Sequence, residues 1–212
     1  MTKPTTTPDV IDQLVGIQPG ERLDQIRWHR QQARTHAQQS YLALFEPVPP
    51  VPGDFSLADR HAVAAFVAGL HAQPEAAGFY ARALAAQGAR AGVPDAIAAE
   101  VARAPAQGPY GRYPAGPLSA EDTVGPVYAV DPAHHAVLGR KLSAGLLHAH
   151  LLVLHPRDAR PAALQALLDA GWSTTDIVIL SQLVAFLSFQ IRVVIGLRTL
   201  AGDFAPLPPT QP

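Results

Sequence analysis

Apolar positions recur along this chain at three- and four-residue spacing, the period of an α-helix, and no alternating run of strand type occurs at any length. The expectation is a nearly all-α fold. Val10, Ile11, Leu14 and Val15 form the apolar side of a short helix over 8–18, with Asp9 as its cap. One long helix is predicted from Glu21 to about Phe45. Leu23, Ile26, Ala33, Ala37, Tyr41 and Leu44 line one side of it, and Arg22, Arg27, Arg30 and Arg34 make a solvated face. PVPPVPGD at 47–54 ends it, because proline cannot continue a helix. Ser56 caps the next helix, which runs to about His71. Others follow over 74–87, from Pro94 to about Arg103, over 133–154 and over 161–170, where Gly171 suits a C-cap. Ser173 opens a final helix to about Leu200. Residues 105–132 carry no period and read as a linker or a functional loop.

Two of these patterns match each other. Residues 55–84, FSLADRHAVAAFVAGLHAQPEAAGFYARAL, slide onto 172–201, WSTTDIVILSQLVAFLSFQIRVVIGLRTLA, with an offset of 117. Phe55 falls on Trp172, Ser56 on Ser173, Asp59 on Asp176, Ala68 on Ala185 and Leu70 on Leu187. Each copy starts with an aromatic residue and Ser-x-x-Asp, and each continues as a long apolar helix. The pattern implies two related helical halves packed as one unit. The organisation expected is an N-terminal helical arm (1–54), a first repeat (55–104), an irregular linker (105–132), a second repeat (133–204) and a tail (205–212).

Composition narrows the chemistry. The 212 residues are 48% apolar, enough for a substantial core. Sixteen basic and 17 acidic residues nearly cancel and form no basic stripe, which disfavours nucleic-acid binding. There is no cysteine, so disulfides, thiolate nucleophiles and cysteine-ligated metals are excluded. The N-terminus lacks a signal-peptide core, and a cytoplasmic place is expected. Ile177–Ile191 is uncharged over fewer residues than the roughly 20 that a membrane span needs. The expectation is a buried core helix and no membrane association.

The stretch ALLDAGWSTTDIVILSQLVAFLSFQIRVVIGLRTL resembles the carboxymuconolactone decarboxylase and alkylhydroperoxidase D superfamily, above all its two-repeat peroxidase-related members. The resemblance implies an AhpD-like all-α fold and a homo-oligomer, from dimer to hexamer. Peroxidase members carry the pattern E-x11-C-x2-C-x3-H. Aligned on the capping serine, the first repeat has His61, Gln73, Ala76 and Tyr80 at those places, and the second has Val178, Gln190, Val193 and Leu197. No register supplies a cysteine, and thiol peroxidase chemistry needs a thiolate. Decarboxylase members act without a cysteine pair, through polar residues that include His. That route is open here, with Arg34, Arg82, Arg192 and Arg198 as possible carboxylate clamps.

The candidate catalytic residues are therefore His61, His71 and Tyr80, and the candidate binding residues are Gln73, Gln190 and Arg192. His61 and His71 lie about three turns apart, suiting one groove as general bases or an interface. Gln190 and Arg192 are polar positions in an apolar helix, either a pocket wall or a polar link between repeats or subunits. His148 and His150, like His134 and His135, are too close along a helix to share a metal ion. No metal or other cofactor is expected. Trp28 and Trp172 read as core anchors. The functional expectation is a cysteine-less superfamily member with a small-molecule or structural role. The alternatives are a cysteine-independent lyase acting on a small carboxylated lactone and, by inheritance alone, a peroxidase-related oxidoreductase.

Overall fold

The computed structural model describes residues 8–49, 53–104 and 107–203; the tail at 205–212 lies outside them. Among the described residues the chain forms nine α-helices and no strand. They are α1 (Val10–Val15), α2 (Arg22–Trp28), α3 (Gln31–Phe45), α4 (Leu57–Leu70), α5 (Pro74–Ala86), α6 (Val93–Arg103), α7 (His135–Leu154), α8 (Pro161–Asp169) and α9 (Thr174–Asp203). Their starts follow the local chemistry. Asp9 caps α1 by accepting from the amides of Ile11 and Asp12, and the Ser56 hydroxyl accepts from the Asp59 amide. Pro74 and Pro161 each open a first turn, where a missing N–H costs nothing.

Helix α4 is the centre of the molecule. Ten of its residues, from Arg60 to Leu70, are buried, and α3, α5, α6, α7 and α9 all contact it. A helix that is apolar all round has no side to give to water. Helix α9 runs beside α4 in the same direction. Phe55 meets Trp172 edge-on at one end, with ring centroids 4.8 Å apart, and His71 reaches Ser188 at the other, 3.3 Å from nitrogen to hydroxyl. Each of these pairs is 117 residues apart in sequence. By length and composition α9 and the segment Pro132–Leu154 are apolar enough to cross a bilayer, yet about half of each is buried in this fold.

Three expectations change. The predicted helix over 21–45 is two helices, because the chain turns at His29 and Arg30. The turn folds α2 against α3 and gathers a charge network. Arg27 pairs with Asp9 and Asp12, and Arg34 pairs with Asp12 at 2.5 Å and Asp24 at 2.7 Å. Arg27 and Arg34 therefore leave the solvated face and tie the arm together. Trp28 is not a core anchor. It is half exposed, and the Arg34 guanidinium sits 4.7 Å from its ring centre. Trp172 is buried as expected, donates to the Lys141 carbonyl at 2.8 Å, and packs so closely on Gly145 that a Cβ there would lie 2.7 Å from the indole.

One buried carboxylate joins three parts of the chain. Asp176, at the start of α9, accepts from the amides of Asp54 and Phe55 at 2.9 and 3.1 Å and from the Lys141 ammonium of α7 at 3.2 Å. Burial alone would raise its pKa. The hydrogen bonds from Lys141 and Ser173 outweigh that and hold it below the usual carboxylate range. Gly53 has φ +78°, and a side chain there would collide with Asp176. Asp176→Ala is expected to lower the unfolding free energy by about 2–4 kcal/mol, because the amides of Asp54 and Phe55 and the Lys141 ammonium lose their acceptor. Urea denaturation measures the loss; a change under about 0.5 kcal/mol would show the carboxylate to be dispensable.

Candidate functional site

The sequence-predicted residues fall into two groups. The first is in the core. His61 is buried on α4, with Nδ1 2.8 Å from the Leu57 carbonyl, and its ring packs on Phe45 at 4.9 Å. Phe45 also touches Tyr80 of α5 at 5.2 Å. The Tyr80 hydroxyl donates to Gln190 Oε1 of α9 at 2.6 Å, and both residues are fully buried. Tyr80 and Gln190 are thus brought together. They form a dry hydrogen bond, with burial raising the phenol far above its ordinary pKa. The Gln190 amide nitrogen has no partner there. Gln73 sits apart at the start of α5, where its side-chain amide donates to the neighbouring Ala72 carbonyl.

The second group lines an open cleft of about 720 Å³ between the end of α4, the end of α7, α9 and the segment at 107–109. His71 and Arg192 both face it, with Ser181 and Ser188 beside them and Leu70, Leu152 and Val184 as apolar wall. The chain breaks after α4, where Ala72 takes φ +52°, and this places His71 at the break, outside the regular helix. Its Nε2 lies 3.3 Å from the Ser188 hydroxyl. Arg192, one turn further along α9, donates through Nη1 to the Ser188 carbonyl at 2.8 Å and is otherwise exposed. Burial lowers the His71 pKa, and the Arg192 charge lowers it further. The imidazole is neutral at neutral pH, beside a fixed positive charge. Such a pair can hold a carboxylate on the guanidinium and accept a proton on the imidazole. His61, Tyr80 and Gln190 do not line this cleft.

Two polar nodes were not anticipated from the sequence. Glu100 is fully buried on α6 and accepts from the Tyr128 hydroxyl at 2.8 Å and the Asp131 amide at 2.9 Å, with His134 Nδ1 at 2.5 Å. Burial would raise it; these bonds, His134 first, hold it low. Tyr128 in turn stacks on His150 at 4.7 Å, so Glu100 ties the end of the irregular 107–131 segment to the core. Its only sequence signal is a glutamate inside the apolar run AIAAEVA. The second node is Arg60, an arginine 2% exposed within α4. No group of His, Asp or Glu suited to a metal ion occurs among the described residues. Comparison with protein-family models, curated proteins and solved structures finds no match to this chain.

Two predictions follow from the buried groups. Tyr80→Phe strands the Gln190 carbonyl oxygen and is expected to cost about 1–3 kcal/mol. The double variant Tyr80→Phe with Gln190→Met is expected to be less destabilised than the sum of the single changes, because it removes both partners together. Additive losses in denaturant melts would mean that the two side chains do not act as a pair. Burial also lowers the pKa of His61, His71, His148 and His150, the last to about 4 with help from the His155 charge. The unfolded chain takes up these protons near pH 6.5 and the folded chain only below that, so stability is complete above about pH 6.5 and falls toward pH 4. Thermal melts are expected to show Tm dropping from pH 7 to pH 5, with a smaller drop in His150→Phe, which keeps the stack on Tyr128. The same slope in both proteins would remove His150 from this account.

Proposed function

We propose that this chain is a cysteine-less relative of the carboxymuconolactone decarboxylase and alkylhydroperoxidase D superfamily that binds a small carboxylated molecule in the His71–Arg192 cleft. The observation that carries the reading is the meeting of His71, Ser188 and Arg192 in one open cleft with apolar walls. A guanidinium there gives a carboxylate two parallel donors, and Leu70, Leu152 and Val184 cover an apolar body. The kinship is supported by the side-by-side course of α4 and α9, in which Phe55 meets Trp172 and His71 meets Ser188, each pair 117 residues apart. The exposed apolar residues Val178 and Phe189, on one face of α9, support self-association. Of the positions that align with the peroxidase motif, His61, Ala76, Tyr80 and Gln190 are buried in the core, and a chain without cysteine has no thiolate to attack a peroxide.

A lyase-type activity is the second reading, favoured by the neutral His71 imidazole beside Arg192. In that reading the guanidinium holds the substrate carboxylate and His71 takes a proton from the adjacent carbon; the C–H electron pair forms a C=C bond to the carbon bearing the ring oxygen, and that ring C–O bond breaks to release a second carboxylate.

Titration with γ-butyrolactone carboxylates by calorimetry tests the binding. Arg192→Ala is expected to weaken it about threefold to fivefold, the size of an exposed ion pair, and the methyl esters are expected to bind as weakly as that variant. Binding that ignores both changes would overturn the reading. Loss of the lactone over time in the native protein, abolished in His71→Gln with binding retained, would add catalysis. Hydroperoxide consumption with a thiol reductant is expected to equal the no-protein control.

A further inference from the structure

We infer that a second cleft, across α9 from the first, binds an amphipathic monocarboxylate through Arg60. This cleft of about 540 Å³ lies between the end of α3, α4 and α9. Arg60 is its buried charge, with Leu44, Ile179 and Phe186 as apolar wall and Ser40 and Gln182 as further polar positions.

The state of Arg60 makes this a site and not only a groove. Its Nε donates to the Phe55 carbonyl at 3.0 Å and its Nη1 to the Leu44 carbonyl at 2.8 Å. Those bonds hold the guanidinium plane rigidly, tying the last turn of α3 to the start of α4. Nη2 has no hydrogen-bond partner, and no carboxylate forms an ion pair with the group, among the described residues. Asp176 acts on it only from a distance and is committed to Lys141 and the Asp54 and Phe55 amides. A buried cation that meets only neutral acceptors is under-compensated, and the missing partner is an anion. A carboxylate on Nη2 supplies it. The apolar wall selects an anion with an aliphatic tail over a bare inorganic ion, and Gln182 and Ser40 offer further hydrogen bonds to its head.

The probe is octanoate, titrated calorimetrically into the native protein below its micelle concentration, with octylamine as the cation of equal length. Saturable binding of one octanoate per chain is expected, with octylamine at least about tenfold weaker, the size of a lost charge-assisted hydrogen bond. Ala43→Trp fills the cleft from an exposed helix position and is expected to remove octanoate binding without unfolding the protein. This variant carries the test because Arg60 also holds two chain segments, so that Arg60→Met is expected to loosen the fold. Arg192→Ala, in the other cleft, is expected to keep the saturable octanoate site that Ala43→Trp removes. The inference is overturned if octanoate does not saturate, if octylamine binds as well, or if Ala43→Trp binds octanoate like the native chain. It is overturned also if Arg192→Ala abolishes binding, which would place the ligand at the other cleft.

Discussion

Everything in this fold answers to the enclosure of α4. Neighbours crowd it on all sides, so its inward positions are small where helices approach closely: Ala62, Ala64, Ala65 and Ala68 are all fully or almost fully buried. The enclosure also dictates what its two buried polar residues do. Arg60 and His61 cannot reach bulk water, and a buried polar group without a partner costs about 1–3 kcal/mol. Both therefore bond carbonyls, His61 within its own helix and Arg60 at Leu44 and Phe55. The second of these turns a solvation problem into architecture, since the two carbonyls belong to the segments on either side of the proline-rich stretch. Helix α9 is covered only on its inward side. The His71–Arg192 cleft and the Arg60 cleft flank its outward side, and both include Ala185.

The first cleft owes its chemistry to a difference between two similar sequences. Helix α9 runs unbroken through Ser188, Phe189 and Gln190. The aligned residues, His71, Ala72 and Gln73, break the chain between α4 and α5. Proline at 74 suits a new first turn, and Ala72 takes up a left-handed conformation to make the bend. The break has two effects. It returns α5 along α4, so that Tyr80 meets Gln190 in the core. It also leaves His71 at a helix end, beside Ser188 and Arg192 of the unbroken partner.

Local chemistry made most of the helices legible. Caps, proline positions and helical spacing located the starts of α1, α4, α5, α8 and α9 to within a residue or two, since those signals act over one turn. The break at His29–Arg30 carried no such signal. It depends on Asp9, Asp12 and Asp24 converging on Arg27 and Arg34, a contact set visible only in three dimensions. Trp28 misled for the same reason, because helical spacing cannot tell a core tryptophan from one covered by an arginine. Of the site residues, His71 and Arg192 stand out individually in the sequence, but their meeting is not readable from residues so far apart along the chain. A charged residue such as Arg60 reads as surface, although the apolar run that follows it marks a helix with no surface to offer.

The two arginines differ in how strongly each can select a ligand. Arg192 stands in an open cleft, where water and salt screen it, and an exposed ion pair is worth about 0–1 kcal/mol. Affinity there has to come from the fork geometry, the neighbouring His71 and the apolar wall acting together. Arg60 is held by two carbonyls and is already desolvated, so an arriving anion meets a charge that has little hydration left to lose. The same contact is stronger in that low-dielectric setting, and it spends little side-chain entropy because the guanidinium does not have to be ordered. Enclosure of α4 thus does more than stabilise the chain. It leaves one rigid, under-compensated cation beside a cleft, and an anion with an apolar body is the chemistry that fits it.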